Sequence, residues 1–394
     1  MKPGIASFFM VIAYMQIATV IVAICIYPQS CRKSSTTGFG NASGGFFRIL
    51  PKVGSKKSRN YRIIGRNAGG PMERHAKNPI LTRKDIPDIP PLLTDATSVF
   101  NPGAVKFGGK YLLMLRVQSR SRETFFLMAE STDGVKFTVA RDLVELKGIE
   151  KVKEKIYHVY DARITQLEGA YYIMFAMDMD SGCQLGLAKT ADFRSFDFLG
   201  ITSTEDVRNG VLFPEKVGGK YLRMERPNKA RLEGGPTTGS TIWLSESDDL
   251  IHWKERAPLI SGRFHYWDEF IGSGPPPVKT RSGWLHIYHG VATHFGSANI
   301  YQAGVMLMDL QNPAKVIGRC RNNILEPREI YEIAGQVPNV VFPSGMIVEK
   351  FDQAGFALPE SPVKVYYGAA DTSVCLATTT IRELIAIAQE SPIV

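Results

Sequence analysis

The chain has 394 residues, 44% of them hydrophobic and 22% charged, which is ordinary globular composition with ample length for a buried core. The formal charge of +9 is lopsided: residues 1–84 carry 14 Lys and Arg against one acid, Glu73, while the remainder carries 33 bases against 37 acids. The body is therefore mildly acidic and has no basic stripe interleaved with aromatics, which excludes a nucleic-acid-binding reading.

Ile5 to Tyr27 is free of charge for 23 positions, long enough to span a bilayer as a helix. Arg32, Lys33 and later bases follow it, so the positive-inside tendency places the body on the cytoplasmic side. Three readings of the N-terminal region stand side by side: residues 1–32 as a single membrane anchor, the same segment as a cleaved signal with an exported body, or residues 1–71 as a start artefact, with Met72 the true start of a cytoplasmic protein. Residues 33–71, rich in Gly, Ser, Lys and Arg, read as a flexible basic linker. Pro79, Pro87, Pro90 and Pro91 mark an extended approach to a folded body over 72–394.

From Phe100 onward the sequence repeats. Each unit has a strand, a Gly-containing turn, an aromatic-rich strand, a loop and a strand of small residues. The second strands include Tyr111–Arg116, Tyr171–Ala176, Tyr221–Arg226, Trp284–His289 and Val365–Asp371. Asp192–Phe196 and Asp249–Trp253 would begin outer fourth strands. Five units at this spacing predict an all-β, five-bladed propeller, and Thr380–Gln389 has the apolar spacing of a short closing helix. The five cysteines form no CxxC pair and read as free thiols, buried in the body. There is no GxGxxG after a strand, no GxxxxGK[ST] and no HExxH, so no organic cofactor or metal is expected.

Inner propeller strands line a central channel. Superposing the second strands puts Arg116, Ala176, Arg226, His289 and Asp371 at one level, and the inner strands add Asn101, Asp161, Arg163, Arg208, Glu215 and Lys216. Charges gathered on an axis are costly unless they serve a ligand. In Tyr160-Asp161-Ala162-Arg163, alternation along a strand places Asp161 and Arg163 on one face. Tyr160, Phe213, Trp267, Tyr288 and Tyr301 are candidates to stack on sugar rings. Carboxylates beside bases in a wet pocket suit acid–base chemistry at a glycosidic bond. Arg208, Arg226 and His289 could instead hold a phosphate dianion, whereas Glu225 and Glu269 argue for activating water. Arabinanase-type propellers need three inner-strand acids, which Asn101, Asp161 and Val211 do not supply.

The landmarks Asn101-Pro102-Gly103, Tyr160-Asp161-Ala162-Arg163, Leu212–Lys216, Glu225-Arg226-Pro227, Gly283-Trp284-Leu285 with Tyr288–Val291, Ile324–Pro327, Asn339–Pro343 and Tyr367–Asp371 occur in an order that resembles glycoside hydrolase family 130, whose members act on β-mannosides. The resemblance covers about residues 72–390. It implies that Asp161 is the proton donor, acting through a hydroxyl of the bound mannose, with inversion at the anomeric carbon. It also implies that basic residues at Arg208, Arg226 and His289 hold phosphate, or water in a hydrolase, with Tyr301 and Asp371 near the site; Asn101, Arg116, Tyr160 and Arg163 join Asp371 as candidate substrate-binding residues from the strand reading above. One departure stands out: Phe270 occupies the place of the family's phosphate-binding lysine, after Asp268-Glu269. On that basis the expectation is an inverting β-mannosidase with Glu225 and Glu269 activating water. Two alternatives remain: a β-mannoside phosphorylase that uses inorganic phosphate as co-substrate and releases mannose 1-phosphate, and a non-catalytic carbohydrate-binding propeller. The expected partner is a β-linked manno-oligosaccharide. A homo-oligomer is compatible with the sequence.

Overall fold

The structure is a computed structural model that describes residues 71–231, 237–294 and 298–390. The expected membrane segment and almost all of the basic linker lie outside the described residues. No helix among the described residues is long and apolar enough to cross a membrane.

Five antiparallel sheets follow one another along the chain, as the repeat predicts. Blade one is Ser98–Phe107, Lys110–Gln118, Thr124–Ser131 and Thr138–Leu143. Blade two is Ile156–Leu167, Ala170–Met179, Gly182–Thr190 and Phe196–Ile201, with Leu146–Lys147 added in parallel at its edge. Blade three is Val207–Leu212, Tyr221–Pro227, Thr241–Ser247 and Trp253–Ser261. Blade four has its inner strand split into Phe270–Ser273 and Val278–Thr280, then Gly283–Ala292, Ile300–Met308 and Val316–Arg319. This inner strand starts four residues before the expected Gly274, and Pro275-Pro276-Pro277 interrupts it because proline has no N–H to donate to a ladder.

Blade five shows how the ring closes. Val341–Val348, Pro362–Ala369 and Ser373–Thr380 are local, but the outer strand is Glu73–Arg74, paired antiparallel with Thr378 and Ala377. Two side-chain groups secure the seam. Arg74 Nε and Nη2 donate to the buried Glu332 carboxylate at 2.8 and 2.9 Å, and Tyr367 adds its hydroxyl at 2.8 Å. Asn78 is bonded both ways to the Leu376 backbone. What reads in sequence as an approach segment is thus the last strand of the ring.

The expected outer strands at Asp192–Phe196 and Asp249–Trp253 are turns for most of their length. Thr190 and Ser247 each accept backbone N–H bonds through the hydroxyl, and Asp192 and Asp249 accept two more through one carboxylate oxygen. Ser131 and Asp133 build the same turn in blade one. Side-chain oxygens here satisfy the backbone that a strand would have paired. The helix Ile381–Gln389 forms where expected, started by a capping box between Thr380 and Glu383. Cys183, Cys320 and Cys375 are buried free thiols, as the sequence suggests.

Candidate active site

The channel groups are aimed by a repeated backbone device. In blades one, two and three the inner-strand register slips between Phe100 and Gly103, Tyr160 and Arg163, and Arg208 and Val211. Each bulge carries a residue in the left-handed region: Asn101 (φ 45°), Asp161 (57°) and Asn209 (56°). Asn and Asp tolerate this conformation better than other side chains, and a bulge turns its extra residue out of the alternation. The third equivalent position is therefore Asn209 rather than Val211, which is fully buried in the core. The signal was present in the sequence as Phe-Asn, Tyr-Asp and Arg-Asn, each followed within two residues by Gly or Ala. A strict period of two hides it.

Asp161 is the centre of the first group. Its Oδ1 accepts from Asn101 Nδ2 at 3.0 Å and from Arg116 Nη1 at 2.9 Å, and its side chain is 12% exposed. The Arg116 guanidinium carbon lies over two rings, 4.4 Å from the centroid of Phe100 and 4.5 Å from that of Tyr160. These stacks hold its fork in place. The Tyr160 hydroxyl donates to Asp178, which also receives Arg208 Nη2 at 3.3 Å.

Arg163 does not share the Asp161 face, because the bulge breaks the alternation. It is fully buried, donates from Nε to Gly274 O at 2.8 Å and from Nη1 to the backbone oxygen of Asp161 at 3.0 Å. Its role in the structure is to tie the strained Asp161 peptide to blade four.

Asp371 is not level with Arg116, Ala176 and Arg226. It lies beyond the strand, in a turn where Ala370 and Asp371 both have positive φ (48° and 49°). Its carboxyl faces Arg116 and Asp161. Burial pushes its pKa up to about 6, Arg116 opposes the rise and Asp161 adds to it. The folded value lies above the reference 3.8, so the folded state holds the proton more tightly than the unfolded chain. Stability therefore falls as pH rises from about 4 to about 6 and stays lower above that. At about 1.4 kcal/mol per unit, the penalty above pH 6 is up to about 3 kcal/mol. Asp371→Asn, which keeps the left-handed turn, is expected to unfold about 1–3 kcal/mol harder than the parent at pH 8 and about equally at pH 4. Urea titrations at the two pH values read this directly; a difference independent of pH would contradict it.

The second group is cationic and neutral-polar. Arg226 is buried with Nη2 on Asn228 Oδ1 at 3.0 Å, and among the described residues it has no carboxylate partner. Burial, and then the facing Arg208, lower its pKa to about 10. His289 is wholly buried and held well below its usual pKa by burial and then by Arg226, Arg163 and His286, so it is neutral. Its ring lies 4.5 Å from Phe342 and 6.1 Å from Tyr301. A Cβ on Gly272 would lie 2.5 Å from both Asn209 Oδ1 and His289 Cε1, so glycine is what lets those two side chains converge. Asn101 and Asn209 Oδ1, Ser273 Oγ, His289 Nδ1 and the Nε atoms of Arg116, Arg208 and Arg226 are buried without a partner among the described residues. Buried polar atoms are normally bonded, so a cluster of them marks a place for a polar ligand.

Several expected residues lie elsewhere. Glu225 points to the face opposite its neighbour Arg226, as strand alternation requires. Its carboxylate is paired with Arg223 and Ser245, beside a cleft lined by Thr202 and Trp253. Glu269 accepts from Thr293 Oγ1 at 2.5 Å. Glu215 and Lys216 pair with Lys279 and Glu168, and Phe213 and Tyr288 are core. Trp267 stacks on Tyr288 at 5.9 Å and donates to Arg321 O.

The family model described as beta-1,4-mannooligosaccharide phosphorylase matches residues 71–390, the whole propeller. The chain belongs to glycoside hydrolase family 130. A beta-1,4-mannooligosaccharide phosphorylase of Ruminococcus albus is 30% identical over 319 residues, 79% of this chain and 89% of that protein. A 1,2-beta-oligomannan phosphorylase of a Thermoanaerobacter species is 28% identical, with 76% and 98% covered. Among solved structures, a beta-1,2-mannobiose phosphorylase from Listeria innocua in complex with beta-1,2-mannobiose superposes with a TM-score of 0.69 at 26% identity, covering 81% of this chain and 99% of that one. Membership of this family of enzymes sets aside the non-catalytic alternative. It does not favour the hydrolase over the phosphorylase.

Proposed function

We propose that the protein cleaves terminal β-mannosidic bonds by phosphorolysis, releasing α-mannose 1-phosphate and a shortened saccharide. The observation that carries this is the pairing of the buried Arg226 with Arg208, whose side chain is 31% exposed. Two guanidiniums share one pocket with Asn209, Ser273 and His289, and only Arg208 has a carboxylate contact among the described residues, at 3.3 Å. Such a pair is costly without an anion between its members and suits a phosphate dianion. The named relatives are phosphorylases, which agrees with this choice.

In this reading Asp161 faces the sugar from across the site and, through the oxygen not engaged by Asn101 and Arg116, passes a proton to the leaving oxygen by way of a hydroxyl of the bound mannose. Phosphate at the arginines attacks C1 from the opposite face; the C1–O bond to the departing sugar breaks as the C1–O bond to phosphate forms, and the configuration inverts. Hydrolysis is the second reading, and Phe270 together with the Asp268-Glu269 pair favours it. However, Glu225 is buried and engaged by Arg223 and Ser245, so it is not free to hold an attacking water, whereas Glu269 accepts from Thr293 on one oxygen only. The deciding assay follows β-mannobiose cleavage with and without 10 mM phosphate. Phosphate-dependent mannose 1-phosphate is the expected product; free mannose formed at the same rate in both would overturn phosphorolysis.

A further inference from the structure

The segment Arg263-Phe264-His265-Tyr266-Trp267 has no part in the cleavage step, yet it displays the most exposed large apolar side chain among the described residues. Phe264 is 81% exposed. A loop tip without a task is ordinarily polar and loosely held. This one is rigidly held. Arg263 donates from Nε and Nη2 to both oxygens of Asp268, each at 2.8 Å. Asp268 is fully buried and also receives Arg319 Nη2 at 2.6 Å and the Tyr288 hydroxyl at 2.9 Å. Tyr266 N–H closes a turn on Arg263 O, and the left-handed His265 (φ 54°) sets its ring 4.0 Å from that of Phe264.

The loop adjoins the channel. Gly262 N–H donates to Ser240 O, Ile271 N–H donates to Gly239 O, and Gly239 packs against the Arg226 side chain. Six residues after Phe264 the chain enters the inner strand of blade four, which carries Gly272 beside Asn209 and His289. The loop that carries the ring is therefore tied to the segment beside Arg226 and runs into a strand of the site.

We infer that Phe264, with His265, is a stacking platform for an outer sugar of the leaving oligosaccharide. The inference rests on the mannoside-cleaving reading above. If one mannose is enclosed in the channel, the rest of the chain extends outside it, where this loop can meet it. A β-linked mannopyranose carries its axial hydrogens H1, H3 and H5 on one face, an apolar patch that packs on an aromatic ring and strips it of water. The platform adds affinity for a chain longer than the disaccharide.

The test is calorimetric binding to the inactive Asp161→Asn protein, with and without Phe264→Ala, using mannobiose and mannotetraose of the β-1,4 and the β-1,2 series. The expected result, in the series that binds, is about tenfold tighter binding of the tetraose than of the biose, falling to about twofold in Phe264→Ala. An unchanged ratio overturns the platform and leaves the mannoside reading intact. No binding of any of the four sugars overturns the mannoside reading itself. Sedimentation of both proteins is measured alongside; an oligomer that dissociates in Phe264→Ala with the ratio unchanged assigns the ring to a contact between copies.

Discussion

Asp161→Asn is expected to lower kcat on β-mannobiose by about 10³–10⁴ while leaving sugar affinity within tenfold. Loss of a positioned general acid costs up to about four orders of magnitude. The amide keeps the shape and can still accept from Asn101 and Arg116, so the pocket survives while the transferable proton is lost. The decisive comparison uses an aryl β-mannoside whose phenolate leaves without protonation. There the variant is expected to retain activity within about tenfold of the parent, because the step that needed the acid no longer does. Equal losses on both substrates would assign Asp161 to binding, and more than about 10% residual activity on mannobiose would remove it from the mechanism.

Arg226→Met is expected to lower phosphate-dependent kcat/KM by about 10²–10³, the usual effect of removing one charged donor to a transferring phosphoryl group. The same substitution is expected to raise the melting temperature by about 2 °C, since it removes a desolvated cation facing Arg208 and replaces it with a side chain of similar volume. The two effects have one cause: an anion site is strained until the anion arrives. Saturating phosphate should stabilise the parent by mass action and the variant far less. A variant that loses stability, or one whose phosphate-dependent cleavage of mannobiose continues at the parental rate, would show that Arg226 is a structural residue.

The hydrolytic expectation came from reading Glu225 and Phe270 as a linear string. Glu225 follows Met224 and precedes Arg226, and only the pairing of its strand shows that it faces Arg223 and Ser245 while Arg226 faces the channel. Asp371 aligns with Arg116 when the second strands are superposed, but two left-handed residues carry it into a turn beyond the strand end. Asn209 escaped notice for the opposite reason. A bulge adds one residue to one strand only, and a period-two pattern has no way to register it.

The sequence by itself determined the ring of five blades, because alternation of apolar residues and Gly-marked turns is a local property that each unit repeats. It also determined the family, since those landmarks are short strings. Only the tertiary structure decided which polar side chains meet. Closure of the ring by Glu73–Arg74, 305 positions before Thr378, has no local signal. The convergence of Arg208, Arg226, Asn209 and His289 depends on the bulge between Arg208 and Val211 and the missing side chain of Gly272. Side-chain direction at a channel is set by backbone twist and left-handed dihedrals of single residues. Their cost, about 1 kcal/mol each, is met by the packing of the whole ring.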